Sequence, residues 1–513
     1  MLPLTHLERE LMDGPEIGAS LRRLLPAGRV IDTASELITY STDASFYSHL
    51  RPHAPEAVVV ARSTEDVRQT VAFAFEHEVP VTPRGASSGQ TGGAIPVQGG
   101  IVIALNAMNR ILEIDTQNLQ AVVEPGVIHA RLNMALAPHR LLFPPDPGSS
   151  RMCTVGGMAS TNAHGMRAMK YGPTANWVLG LEVVLADGRV ITTGSVNSKA
   201  RQSSSGLELT KLFVGAEGIL GIITRLRLKV MPIPQARAIV TATFDDVERA
   251  GQAVVEVSRA GIAPSAVEIL DRNAIRAVNL YRPAMGLAAA ESMLLFEVDG
   301  NPPGVEYDAS KICEVVRPLA VAVDWSDEPK RIAALWEARS VVGAAASMLR
   351  PGAFRAYCGE DLCVPVSKVP ATLKAIQAIG EKYDIPVATY GHIGGGGMHP
   401  GHLIDPFNPD EVRRVLLVAN AIHELALEMG GTVTGEHGVG LVRAPYMEAE
   451  HGEALDVMRR IKRALDPKGI MNPGKIVTQT SADLLIPTDE PRVVLEAVAD
   501  LPGGGVPTGI DPG

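Results

Sequence analysis

The sequence predicts an α+β protein built in two parts, on three observations. With 513 residues and 46% hydrophobic composition, the chain is longer than one ordinary core organises and should divide into at least two domains. Before residue 232, short Val- and Ile-rich runs alternate with Gly and Pro, whereas beyond it helical patterns interleave with strands. Between the halves lies Met231-Pro232-Ile233-Pro234, whose prolines cannot donate to a strand ladder and so mark a boundary.

In chain order, residues 1–50 read as an N-terminal helical segment. Strands are expected at 57–61, 79–82, 101–105, 121–123, 181–186 and 222–230. A helix is expected at 63–77, where Ser63 or Thr64 can cap the N-terminus and Glu65 and Asp66 suit the dipole. In the second half, helices are expected at 246–260, 330–348, 369–383 and 410–429, with strands at 293–298, 361–366 and 386–392. That pattern implies helices over one face of a sheet. Residues 478–513 contain prolines and glycines without periodicity and read as an extended tail.

The net charge of −10 and the absence of long basic runs argue against nucleic acid or an acidic membrane surface as the main partner. Residues 1–20 are broken by Glu8, Glu10, Asp13 and Glu16 and lack the pattern of a secretory signal. No window approaches the run of about 18 apolar residues a spanning helix needs, which leaves only peripheral membrane contact. The cysteines Cys153, Cys313, Cys358 and Cys363 have no CxxC spacing, and a reduced, cytoplasmic setting is expected.

Chemistry concentrates in a few loops. PRGASSGQTGG at 83–93 follows an expected strand, and successive backbone N–H groups of such a loop can cradle a pyrophosphate. It fits neither GxGxxG nor GxxxxGK[ST], and such a loop taken alone is more often just a tight connection. Three further clusters lie in the same half: PDPGSS at 145–150, TVGGMASTNAHG at 154–165 and GAEGILGIIT at 215–224. Several loops converging on one long ligand explain them better than unrelated turns. In the second half, His392 and His399 flank four glycines, so a hairpin can set the two imidazoles side by side. Glu436 would complete a two-His, one-carboxylate metal set with open positions. The bland alternative is solvated loop histidines.

The motifs PRGASSGQTGGA, EPGV, PPDPGSS, CTVGGMASTNAHG, YGPTANWVLGLEVVLADG and GAEGILGIIT, in that order, resemble the FAD-binding domain of the vanillyl-alcohol oxidase and p-cresol methylhydroxylase type. The second half resembles the branch containing the glycolate oxidase flavin subunit, D-lactate dehydrogenase and D-2-hydroxyglutarate dehydrogenase. The resemblance runs over residues 56–475. It implies a two-part FAD-binding domain at 51–232 and an α+β cap domain at 233–477, with an antiparallel sheet covered by helices.

The FAD diphosphate is then expected on Arg84, Gly85, Ala86, Ser87 and Ser88, with Gly89 and Gly92 beside it. Pro147 and Ser150 join from the second cluster, Thr154, Gly157, Ser160, Asn162 and Gly165 from the third, and Glu217, Gly218, Gly221, Ile222 and Ile223 from the fourth. The isoalloxazine is expected between the domains, with Asn472 of Asn472-Pro473-Gly474-Lys475 returning to it. The loop at 84–90 has neither His nor Cys, so non-covalent FAD is expected, with His164 and Cys153 left open as tethers.

The same resemblance implies that His392, His399 and Glu436 hold a divalent metal (Zn, Mn or Fe), which binds the substrate's hydroxyl and carboxylate oxygens. His437 matches the base that takes the hydroxyl proton while hydride leaves the α-carbon for flavin N5. Arg339, in Leu335-Trp336-Glu337-Ala338-Arg339, matches a bidentate carboxylate donor; without the resemblance it reads as a helix-surface arginine. Arg355 and Lys368 are secondary candidates.

The implied activity is FAD-dependent oxidation of a small D-2-hydroxy acid of the D-lactate or glycolate type. Electrons would pass to an external quinone, cytochrome, electron-transfer flavoprotein or iron-sulfur subunit, and a homodimer is compatible with the resemblance. Alternatives are a non-redox flavin enzyme of the alkylglycerone-phosphate synthase kind, or a flavin-binding subunit of a larger redox complex. Four positions depart from the pattern. Gly395 and Gly397 replace the usual aspartate and asparagine of His-x-Gly-Asp-Gly-Asn-x-His, Met158 stands where asparagine is common, and His164 where glycine is common. These changes point to a reshaped pocket.

Overall fold

The computed structural model describes residues 14–195, 198–358 and 361–478. The expected tail, apart from Thr478, and the first 13 residues of the expected N-terminal segment lie outside the described residues. Residues 14–50 hold the helix Gly14–Leu24 and shorter turns, and also a strand, Val30–Ile31, that pairs with Val58 and Val59.

The first half contains a four-stranded and a five-stranded sheet. In the four-stranded sheet, Ala57–Val60, Ile101–Ala104 and Val81–Arg84 lie parallel. The continuous apolar runs of the first two, AVVV and IVIA, are what strands covered on both faces require. Thr64–His77 crosses between strands, and the Ser63 side chain accepts from Asp66 N as its cap. The five-stranded sheet is antiparallel, in the order Ile111–Asp115, Gln120–Val123, Ile222–Lys229, Val178–Val184, Val190–Thr192. The cluster at 154–165 is not all loop. Thr154 accepts from Gly157 N and caps the helix Val155–Thr161, which ends at Asn162 in the left-handed region.

The second half is one eight-stranded antiparallel sheet. Its main path runs Ala322–Ser326, Ala236–Phe244, Ser292–Gly300, Ala266–Asp271, Val387–Gly391, Gly397–Ile404, Phe354–Ala356, with Leu362–Cys363 paired to Gly397–Ile404. One face packs Val240, Val267, Leu294 and Phe296 against the helices Val247–Arg259, Pro302–Val316, Val369–Lys382 and Pro409–Glu428. The other face packs Ile239, Leu270 and Leu295 against Arg272–Tyr281 and Pro329–Ser340. The first half binds this sheet through Arg167, which donates to Glu297 at 2.7 Å, and through Lys170 and Tyr171, which donate to Asp299 at 2.5 and 2.7 Å.

Several local expectations are corrected. Met231–Pro232 does join a ladder, pairing with Leu141–Leu142 in a two-stranded sheet where the prolyl nitrogen is tolerated. The expected helix at 330–348 breaks into Pro329–Ser340, Val342–Ala345 and a tighter turn, bent by 46°. The bend sets Gly343 against Arg355, where a Cβ would stand 2.7 Å from Nη1. The expected strand at 361–366 shortens to Leu362–Cys363 because Pro365 ends its ladder. Among the described residues, no single helix is long and apolar enough to cross a membrane.

Candidate active site

The strands Val387–Gly391 and Gly397–Ile404 form a hairpin in which Tyr390 pairs with His399. The connection folds into a tight turn at Ile393–Gly395 and reverses at Gly396, whose φ of +88 favours glycine and whose added Cβ would collide with Val364 O. His392 leaves the first strand as His399 enters the second, and the rings meet edge to face at 4.9 Å between centroids.

The loop after Pro409–Glu428 brings Glu436 to the same point. Its Oε1 lies 3.2 Å from His392 Nε2, 3.4 Å from His399 Nε2 and 3.6 Å from His437 Nε2. Glu436 Oε2 and His437 Nδ1 are buried without a hydrogen-bond partner among the described residues. Two imidazole nitrogens and one carboxylate oxygen at these separations can surround an ion whose bonds are about 2.1 Å long.

Burial opposes charge on His392, but Glu268 and Glu436 flank it and raise its pKa to about 10. Burial likewise opposes charge on Glu436, yet His392, then His437 and His164, hold it well below the usual carboxylate range. Burial and the neighbouring His392 push His399 down to about 3. The cluster thus carries adjacent opposite charges on His392 and Glu436.

Two carboxylates absent from the expected set hold this arrangement. Asp361 accepts from Thr434 Oγ1 at 2.8 Å, Glu436 N at 3.1 Å and His437 N at 2.9 Å. Glu268 pairs with His392 Nδ1 at 2.7 Å and accepts from Arg339 Nε at 2.6 Å. Only an acidic residue inside the apolar run AVEILD hinted at Glu268; nothing in the sequence singled out Asp361. Arg339, expected as a bidentate donor, therefore spends its Nε on Glu268, and its guanidinium stacks 4.6 Å over the Tyr390 ring. Arg355 lies over the same ring at 5.2 Å.

The four clusters of the first half do converge. A Cβ on Gly85 would stand 2.5 Å from Thr154 Oγ1, one on Gly165 would collide with Asp146 O, Glu217 N donates to Ser160 O, and Asn472 N donates to Val81 O. Ser87 adopts φ +55, and Ser87 Oγ, Gln90 Oε1 and Asn472 Oδ1 are buried without partners among the described residues. Gly89 and Gly148 face open space. Orphaned polar atoms beside open glycines fit a polar cofactor.

Other expected contacts point elsewhere. Arg84 turns its guanidinium to the carbonyls of Tyr40, Ala94 and Thr39. Asn162 Oδ1 accepts from Ala175 N, Ser150 Oγ pairs with His129, and the Ile222 and Ile223 side chains are buried in the core. Glu217 reaches across to the loop that carries Glu436 and His437, accepting from Val439 N at 2.7 Å and Gly440 N at 2.9 Å, while Asn472 Nδ2 donates to Glu217 O.

Residues 55–194 match a family model described as FAD binding domain, and residues 233–476 one described as FAD linked oxidases, C-terminal domain. The chain is 39% identical to glycolate oxidase subunit GlcD of Bacillus subtilis over 448 residues, covering 87% of this chain and 93% of the relative. It is 36% identical over 437 residues to a probable mitochondrial D-lactate dehydrogenase of Danio rerio, covering 84% and 86%. The solved structure of p-cresol methylhydroxylase with substrate bound aligns with a TM-score of 0.73 at 19% identity, covering 91% of this chain and 97% of that one; this likeness carries the fold. The protein belongs to the FAD-linked oxidase family, with the p-cresol methylhydroxylase-type fold.

Proposed function

We propose that the protein oxidises a small D-2-hydroxy acid, of the D-lactate or glycolate type, to the 2-oxo acid with assistance from a divalent metal. The observation that carries this reading is the convergence of His392, His399, Glu436 and His437 on one buried point, in a loop that Glu217 ties to the flavin half. Relatives named glycolate oxidase subunit and D-lactate dehydrogenase, similar over most of the chain, support the substrate class.

FAD supplies the hydride acceptor, and the metal supplies a Lewis acid for the substrate's oxygens. The protein's residues do the rest. His392, His399 and Glu436 hold the ion, and Glu268 fixes the His392 ring by engaging Nδ1. His437 takes the substrate hydroxyl proton, with Asp361 fixing its backbone. The guanidinium of Arg339, together with Arg355, supplies positive charge for the substrate carboxylate. Residues 51–232 would carry the flavin and 233–477 the substrate, with an external acceptor as the partner that takes the electrons.

Anaerobic titration with a panel of chiral 2-hydroxy acids tests the reading. Bleaching of the flavin by one D-acid or by glycolate is expected; a flavin that none of them bleaches refutes it. His437→Ala should lower kcat by about 10²- to 10⁴-fold with metal content unchanged, and full activity would remove His437 from proton transfer.

A further inference from the structure

Beside the cluster of His392, His399 and Glu436 stands a second group of donors that shares one of its members. Asp361 Oδ1 lies 3.9 Å from His399 Nδ1, and Asp361 Oδ2 lies 3.5 Å from His437 Nδ1. One donor atom from each of these three residues lies within 4.8 Å of the other two. Tetrahedral bonds of about 2.1 Å set ligand atoms roughly 3.4 Å apart, so these gaps are too long for good hydrogen bonds and suit an ion between the donors. His437 Nδ1 is buried without a hydrogen-bond partner among the described residues, and an orphaned buried donor or acceptor costs roughly 1–3 kcal/mol. Asp361 Oδ2 accepts from Thr434 Oγ1 and His437 N, whereas Oδ1 accepts among the described residues only from Glu436 N, at 3.3 Å. Asp361, His399 and Gly435 also line a cavity of about 50 Å³, larger than the roughly 10–15 Å³ that one water needs. His399 turns Nε2 to Glu436 at 3.4 Å and Nδ1 to Asp361, so its ring stands between the two donor sets.

We propose that Asp361, His399 and His437 hold a second divalent ion, bridged to the first by the His399 imidazole. The inference rests on the metal-assisted reading above for the first ion and adds a site to it. Three protein donors leave a fourth position of a tetrahedral ion, which a water in the cavity can fill. Loading the second ion breaks the N–H bond at His399 Nδ1. The proton goes to solvent, the nitrogen lone pair forms the new bond, and the ring becomes an imidazolate shared by two cations, with no change of oxidation state. The negative charges of that ring and of Asp361 offset the repulsion between the ions. At His437 the second ion occupies Nδ1 and leaves Nε2 as the nitrogen that accepts a proton, so the site fixes which nitrogen serves as base.

The test dialyses FAD-replete full-length protein against Zn²⁺ and counts zinc per FAD. The wild type should hold two ions, and Asp361→Ala and Asp361→Asn one each with FAD content unchanged; the asparagine keeps an acceptor oxygen for the loop N–H groups. Cu²⁺ gives a second readout. Two coppers sharing an imidazolate are magnetically coupled, so the wild-type electron paramagnetic resonance signal should fall well below that of two separate ions, and Asp361→Asn should show one uncoupled spin. The wild-type count and spectrum decide the question without any variant. Wild-type protein that binds no stoichiometric zinc would overturn both the metal reading and this inference. One zinc in the wild type, two zincs retained in both Asp361 variants, or two coppers with uncoupled spins would each overturn the inference alone.

Discussion

Glu268→Gln isolates the contribution of one buried carboxylate to the proposed metal binding. Glu268 is fully buried and faces two donors at once, Arg339 Nε at 2.6 Å and His392 Nδ1 at 2.7 Å. A glutamine keeps the shape but offers one acceptor oxygen and one donor NH₂. Arginine cannot give up its proton, so the oxygen turns to Arg339 and the NH₂ to His392. The imidazole then accepts at Nδ1 and carries its proton on Nε2, the nitrogen facing Glu436. The nitrogen proposed as a ligand has become a donor. Loss of such a supporting contact lowers metal affinity by about 10- to 100-fold, or roughly 1.4–2.7 kcal/mol at 1.36 kcal/mol per decade. Chelator competition on FAD-replete protein measures this directly, and activity should recover as free metal is raised. Wild-type metal affinity in Glu268→Gln would refute the tautomer argument.

Glu217→Ala leaves the N–H groups of Val439 and Gly440 without their acceptor. At about 1–3 kcal/mol per buried orphan, thermal unfolding should show clear destabilisation together with a lower kcat. In the hairpin, Gly396→Ala should destabilise strongly through positive φ and collision with Val364 O, whereas Gly395→Ala, opening into free space, should stay within about 0.5 kcal/mol; denaturant titration separates them. Acid should destabilise the fold through His402 and His423, whose pKa burial pushes down to about 3, helped by Arg355 and Arg443 respectively. Their folded values lie below the unfolded 6.5, so the unfolded chain binds more protons and stability falls with pH from about 6.5 toward 3. Each contributes about 1.4 kcal/mol per pH unit, and His402→Phe with His423→Phe should flatten the stability–pH curve.

Much of this site was legible in the sequence because its residues are local. His392 and His399 share one short hairpin, so spacing alone proposed their meeting, while the resemblance brought the adjacent pair Glu436 and His437 to them. The glycine clusters of the first half announced themselves by composition. Strands such as Ala236–Phe244 and Ala266–Asp271 went unread. The second is buried on both faces and so lacks alternation, and it carries two acids in an apolar run. The supports were illegible for a different reason. Glu268 is 124 residues from His392 and 71 from Arg339, and Asp361 is 76 from His437; pairings at that separation exist only once the sheet is assembled. Arg339 was read as a free donor because the sequence shows its charge but not the carboxylate that engages it.

The pairing of Tyr390 with His399 also bears on how this protein can change over evolutionary time. Side chains along a strand alternate between faces, so an added or deleted residue that slips the register of His399 against Tyr390 by one would turn His399 away from His392. Substitutions at 395 and 397 leave the phase of the hairpin intact. Natural variation in this segment should accordingly appear as changes of letter at constant length, and a gene with a single-codon slip in its glycine run would encode a protein that has lost the pairing of its two histidines while keeping every residue of the motif.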